Sequence, residues 1–172
     1  RTALFRATGV DLTRIEGLEA TTVLKVVSEI GTDMTRWPTV KHFASWLGLC
    51  PGSKKSGGRT LSSRTKPSAN RAAAALRLAA QSLHHSRSWL GAFLRRKAAQ
   101  KDMPKAITAT AHKLARLIYF MLRYGAEYVA RTQEHYEELH RHRTVAALTR
   151  TAKRLGYVLV PQNPQKPLPS PA

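Results

Sequence analysis

Pro104-Lys-Ala-Ile-Thr-Ala-Thr-Ala-His-Lys-Leu-Ala-Arg-Leu-Ile-Tyr-Phe-Met-Leu-Arg123 decides the architecture. Ile107, Ala111, Leu114, Ala115, Ile118, Met121 and Leu122 recur in it at spacings of three and four, the period of one broad helical face. Pro104 stands in the first turn, where a missing N–H does no harm, and Gly125 ends the run. A helix of this length with so wide an apolar side has to sit at the centre of a core. Working outward, Ser68 or Asn70 caps an alanine-rich helix to about Leu83, and Trp89, Phe93 and Leu94 mark another after a Ser86 cap. Nearer the N-terminus Asp11 caps a brief turn through Ile15 and Gly17 breaks it. Ala20, Val23, Leu24, Val27 and Ile30 then share a face of a helix that ends at Gly31. A further helix over 39–47 turns Phe43, Trp46 and Leu47 inward and stops at Gly48. Thr132 caps a last one, with Glu134, Glu137 and Glu138 at its positive end and Arg150, Lys153 and Arg154 at its negative end before Gly156. The expected fold class is all-α. Prolines between Pro161 and Pro171 leave 157–172 as an extended tail.

The chain's 172 residues are enough for one core and too few for two substantial ones. Its expected organisation is a helical domain over 1–156 followed by that tail. Charge sets it apart: 29 Lys plus Arg against 10 Asp plus Glu leave a net +19, which repels itself unless a polyanion is near. Nucleic acid is therefore the first expected partner. No stretch approaches the ~20 apolar residues of a spanning helix, so a membrane is not. One cysteine, Cys50, excludes an internal disulfide and makes a reducing cytoplasm the default compartment.

Placement says more than the sum. From 34 to 101 there is no Asp or Glu, while fourteen Lys and Arg occur. An ordinary solvated surface mixes both signs. Lys54, Lys55, Arg59, Arg64, Lys66 and Arg71 bracket a stretch over 51–67 without apolar period, rich in Gly, Ser and Thr, and expected to be a long loop. Cations and exposed backbone N–H groups at Gly57 and Gly58 suit phosphates. No aromatic lies between Trp46 and Trp89, so base stacking is not offered there. The same loop fails as a P-loop, because no Gly-Lys-Ser/Thr runs into a helix. What remains in it is Ser56, a hydroxyl set among cations that would stabilise charge on a phosphoryl group under attack. Most serines in such loops only turn the chain.

A second candidate phosphate-reading element is the opening over 11–31, where Leu12-Thr-Arg-Ile-Glu-Gly-Leu18 leads into a helix. It resembles a degenerate helix-hairpin-helix, in which a glycine such as Gly17 lets backbone N–H groups approach a phosphate. Glu16 replaces that motif's usual proline, and an ordinary tight turn between core helices explains the same residues. Metal chemistry has little to stand on. His135 and His142 share a helical face that His140 does not, no carboxylate or cysteine completes their set, and Glu29 and Asp33 straddle a helix end. No metal ligand is expected in this chain.

Ile15-Glu-Gly-Leu18, Glu29-Ile-Gly-Thr-Asp33, Phe43-Ala-Ser-Trp-Leu-Gly-Leu-Cys-Pro51, Ser56-Gly-Gly58, Asn70-Arg71, Leu76-Arg-Leu-Ala-Ala80 and Lys105-Ala-Ile-Thr-Ala-Thr-Ala-His-Lys-Leu-Ala115 occur in one order. In that order they resemble the C-terminal domain of the bridge-RNA-guided insertion-sequence transposases. The resemblance extends from about Leu4 to Gly156. It implies a prokaryotic, DNA-associated protein whose serine attacks a DNA phosphodiester and holds the broken strand as a phosphoserine. By the match Ser56 is that nucleophile, with Ser53 next. It also implies a bridge RNA, a homo-oligomer, and a RuvC-like domain with Mg2+ on an Asp/Glu tetrad, in cis or in trans, which these 172 residues do not contain. The alternative reading is a non-catalytic helix-hairpin-helix scaffold that positions DNA or guide RNA.

Overall fold

The computed structural model describes residues 2–62, 64–65 and 67–160. Among them seven α-helices carry the fold: α1 (Thr2–Thr8), α2 (Ala20–Ile30), α3 (Val40–Trp46), α4 (Arg71–Ser82), α5 (Trp89–Gln100), α6 (Met103–Tyr124) and α7 (Ala126–Arg154). Two short strands, β1 (Lys54–Ser56) and β2 (Arg59–Ser62), form an antiparallel hairpin between α3 and α4. The architecture is all-α with that one hairpin set into it. The backbone divides into two compact units, Arg1–Val129 and Ala130–Ala172. Positions 161–172 of the expected tail lie outside the described residues.

α6 is central to the first unit, packing against α3, α4 and α5. Ala111, Leu114, Ala115, Ile118 and Met121 are buried along it as their period requires, with Ala106 and Tyr119 added. Thr110 is also buried, and its hydroxyl donates to the carbonyl of Ala106, so no polar atom is left without a bond there. The Tyr119 hydroxyl donates to the Trp37 carbonyl at 3.0 Å and accepts from Arg123 at 2.6 Å, tying α6 to the segment before α3. Across the same seam the Trp37 and Phe43 rings meet edge to face, 4.9 Å between centroids.

Several boundaries differ from the sequence expectation for local reasons. On α2 the buried residues are Val23, Val26 and Ile30, whereas Leu24 is 58% exposed. In a helix of three turns the inward stripe is narrow, and Val26 takes the place assigned to Leu24. Trp46, expected inward, is 41% exposed because α3 is only two turns long and Phe43, Ala44 and Leu47 fill its inner side. The α5 cap is Ser88, whose Oγ accepts from the Gly91 N–H; Ser86 instead accepts from the Ser88 N–H one step earlier. Between Ser68 and Asn70, it is Asn70 whose side chain caps α4, through the Ala73 N–H at 3.0 Å. α7 begins at Ala126, directly after Gly125, so Thr132 lies inside the helix and does not cap it.

Gly91 shows how closely α5 sits on the turn before it. A Cβ there would come within 2.4 Å of the Ser86 carbonyl oxygen and 2.7 Å of that of Leu83, both backbone atoms that cannot swing away.

Candidate nucleic-acid interface

The segment expected as a loop over 51–67 is built around the hairpin. Its turn is Gly57-Gly58, with φ of 54° and 74° at the two positions. Left-handed backbone at both central residues makes a two-residue turn whose twist matches the strands it joins, and glycine adopts it without strain. Ser56 pairs with Arg59 across the turn, Lys55 with Thr60 and Lys54 with Ser62, so Leu61 is an extra residue that bulges β2. Below the strands the Gly52 N–H donates to the Arg64 carbonyl at 3.0 Å and Pro51 bridges Thr65. The correction to the sequence reading is therefore substantial: a backbone ladder holds this segment, although no apolar alternation announces one.

Ser56 ends β1 and is exposed, with Arg59 directly opposite. Directly opposed residues hold their Cβ atoms about 5 Å apart, close enough for a guanidinium to reach whatever the hydroxyl touches. Ser53 has a different setting. It lines a cleft of about 840 Å³ together with Leu61, Arg64, Lys97, Lys101 and Lys105. The two serines thus occupy distinct places, one at the turn and one at the foot of the hairpin.

Of the other expected contacts, Lys54, Lys55, Gly57, Gly58 and Arg59 fall on the hairpin and Arg64 just beyond it. Arg71 is the exposed first residue of α4, a cation at the end of a helix whose dipole favours anions. Lys66 lies outside the described residues, as do the side chains of His135 and His140. Gly17 is elsewhere: with φ of 82° it turns the chain before α2, and a Cβ on it would press within 3.0 Å of the Leu83 side chain and 3.2 Å of the Ala79 carbonyl. Close approach to the end of α4 is reason enough for glycine there.

Sequence reasoning missed the cleft's far wall. Lys97 and Lys101 lie four apart at the end of α5, and Lys105 in the first turn of α6, where it pairs with Asp102. The missing acids between 34 and 101 were the available signal, but only the tertiary fold shows which cations meet. Among the described residues no cluster of His, Cys, Asp or Glu could hold a metal ion, and no helix is long and apolar enough to cross a membrane.

The fold is a small helical domain with a hairpin that carries Ser56 opposite Arg59. Residues 11–95, just under half of the chain, match the family described as Transposase IS116/IS110/IS902. That segment runs from the turn before α2 to within α5 and contains the whole hairpin, and the match supports an insertion-sequence transposase domain. No curated protein and no solved structure matches the chain.

Proposed function

We propose that this chain is the serine-bearing, DNA-binding domain of an insertion-sequence transposase of the matched family, with Ser56 as the nucleophile. One observation carries the reading: within the matched segment, a tight Gly57-Gly58 turn presents Ser56 opposite Arg59, in a stretch of sequence over 34–101 that has no Asp or Glu. The Ser56 Oγ forms a bond to a backbone phosphorus as one P–O ester bond of the strand breaks. The serine proton ends on the released strand terminus. Attack by a strand hydroxyl on the phosphoserine reverses the step and frees the serine, which is how cleavage becomes rejoining. Arg59 stabilises the charge that builds on the phosphoryl oxygens, and Arg64 and the lysines hold the neighbouring phosphates.

Among the described residues no three of His, Cys, Asp and Glu cluster as a ligand set for a divalent cation, and no step here passes through one. Mg2+ belongs to the proposed RuvC-like partner, and a bridge RNA and a second copy complete the proposed assembly in prokaryotic cytoplasm.

The test is strand cleavage by a full-length transposase carrying this domain. Ser56→Ala is expected to abolish the protein-linked DNA end while lowering stability by less than about 0.5 kcal/mol, as changes at exposed sites usually do. Adducts that survive Ser56→Ala and vanish with Ser53→Ala move the nucleophile to the foot of the hairpin. Wild-type cleavage by both variants replaces the catalytic reading with the scaffold one.

A further inference from the structure

Only Lys101 and Asp102 separate α5 from α6, so the two helices pack against each other, and their adjoining faces carry a second group of cations. The Lys113 ammonium sits 4.5 Å from the Phe93 ring centroid and 4.9 Å from that of Trp89. Arg96 and Lys97 approach the same Phe93 ring at 5.8 and 6.0 Å. Arg116 follows Lys113 by about one turn and is exposed. Lys97 belongs to both places, since it also lines the cleft beside the hairpin. Along α6, Lys105, His112 and Arg116 stand at i, i+7 and i+11 and fall on one helical face.

Little acid is available to offset this. Between Asp33 and Glu127 the sequence has a single carboxylate, Asp102, and Lys105 engages it. Burial and then the fields of Arg116, Arg96 and Lys97 hold the Lys113 ammonium down to about 8. Two aromatic faces recover part of that cost.

We infer that Lys113, Arg96, Lys97 and Arg116 form a second phosphate subsite on the α5–α6 face, which continues the hairpin's path for the backbone of duplex DNA. The rings at its centre are not a stacking platform: Phe93 is buried, Trp89 is half-buried, and Lys113 covers both. The subsite therefore reads charge and not bases, which is what a duplex with its bases paired presents. Lys105 to Arg116 spans about 16 Å of helix axis, the axial length of about five base pairs. The inference rests on the proposal that this domain handles DNA.

It is tested by measuring affinity of the full 172-residue chain for a DNA duplex of mixed sequence against salt concentration, with lysine methylation footprinting of the complex. Lys113→Met keeps an unbranched apolar stem on the two rings and removes the charge. Arg116→Gln changes an exposed side chain and does not put folding at risk. Each is expected to flatten the slope of log K against log salt by about 0.9, the value of one phosphate contact, on every sequence tried, and bound duplex should shield Lys113 from methylation. Wild-type slopes in both variants with Lys113 unshielded, while Arg59→Gln and Arg64→Gln weaken binding, overturn this inference and leave the hairpin reading standing. Failure of the wild-type chain to bind duplex at low salt overturns both. Shielding of Lys113 by duplex RNA alone overturns the assignment to DNA.

Discussion

Packing meets charge at Lys113 and leaves no room for a side chain at Gly91. Lys113 is charged in both the folded and unfolded states below about pH 8. From there up to the ordinary 10.5 of an unfolded lysine, the folded chain releases its proton first, so the unfolded state binds more protons and stability rises with pH across that window. His112 acts in the same direction lower down. Burial, then Arg116 and Lys113, hold it below its usual 6.5, and stability is expected to climb as pH passes upward through that region. Urea unfolding at pH 7.5 and pH 9.5 should show the upper rise in the wild type and lose it in Lys113→Met; equal rises in both would contradict the assignment. At Gly91 the conflict is steric. Gly91→Ala drives a methyl into two carbonyl oxygens of the preceding turn and is expected to cost about 1–3 kcal/mol in the same experiment, the range for overpacking a tight site. Neither residue advertises this in sequence: a glycine inside a helical period reads as a weak position, and a lysine on a basic helix reads as a solvated one. Their roles come from neighbours far along the chain.

At the scale of elements, α6 was legible in extent and in its central stripe, because its apolar period runs for about four turns, although Ile107 and Leu122 at the ends of that stripe are only half-buried and Ala106, Thr110 and Tyr119 join it. α2 and α3 were legible in extent but not in facing. A short helix has too few repeats to tell Val26 from Leu24, or to place Trp46 at an edge. The hairpin was the element that composition concealed. Lys-Lys-Ser and Arg-Thr-Leu-Ser lack the apolar alternation of a half-buried strand, and the informative pair was Gly57-Gly58 itself, flanked by residues that can pair in register. The backbone carries the consequence. Gly57→Ala with Gly58→Ala places two side chains at left-handed φ, each costing on the order of 1 kcal/mol, and should open the turn. Gly57→Asn with Gly58 retained should keep it, since asparagine tolerates that conformation. Cross-strand NMR contacts between Ser56 and Arg59 are expected to disappear in the first variant and persist in the second, and strand cleavage should follow them. Cleavage that survives without the turn would separate the serine's chemistry from its presentation.

Over the whole molecule the governing quantity is the asymmetry of charge. Carboxylates occur up to Asp33 and again from Glu127, with Asp102 alone between them, so the helices and hairpin of the middle of the chain form a nearly acid-free body. A chain that neutralises ~6 phosphates with that body should bind duplex DNA with a log K against log salt slope of about −5 and with little sequence preference. A salt-independent affinity would contradict it. Fold class was legible from period alone, and composition is what makes a polyanion the expected partner. The cleft was not, because its walls come from the hairpin foot, the end of α5 and the start of α6, which only tertiary packing brings together. The central claim concerns one atom, the Ser56 Oγ, and mass spectrometry of the trapped covalent complex addresses it most directly. After nuclease digestion of the DNA, the account predicts a nucleotide phosphate esterified to the peptide at Ser56, opposite Arg59 across the Gly57-Gly58 turn; a nucleotide found on Ser53, or on no residue of this domain in a cleavage-competent protein, would contradict it.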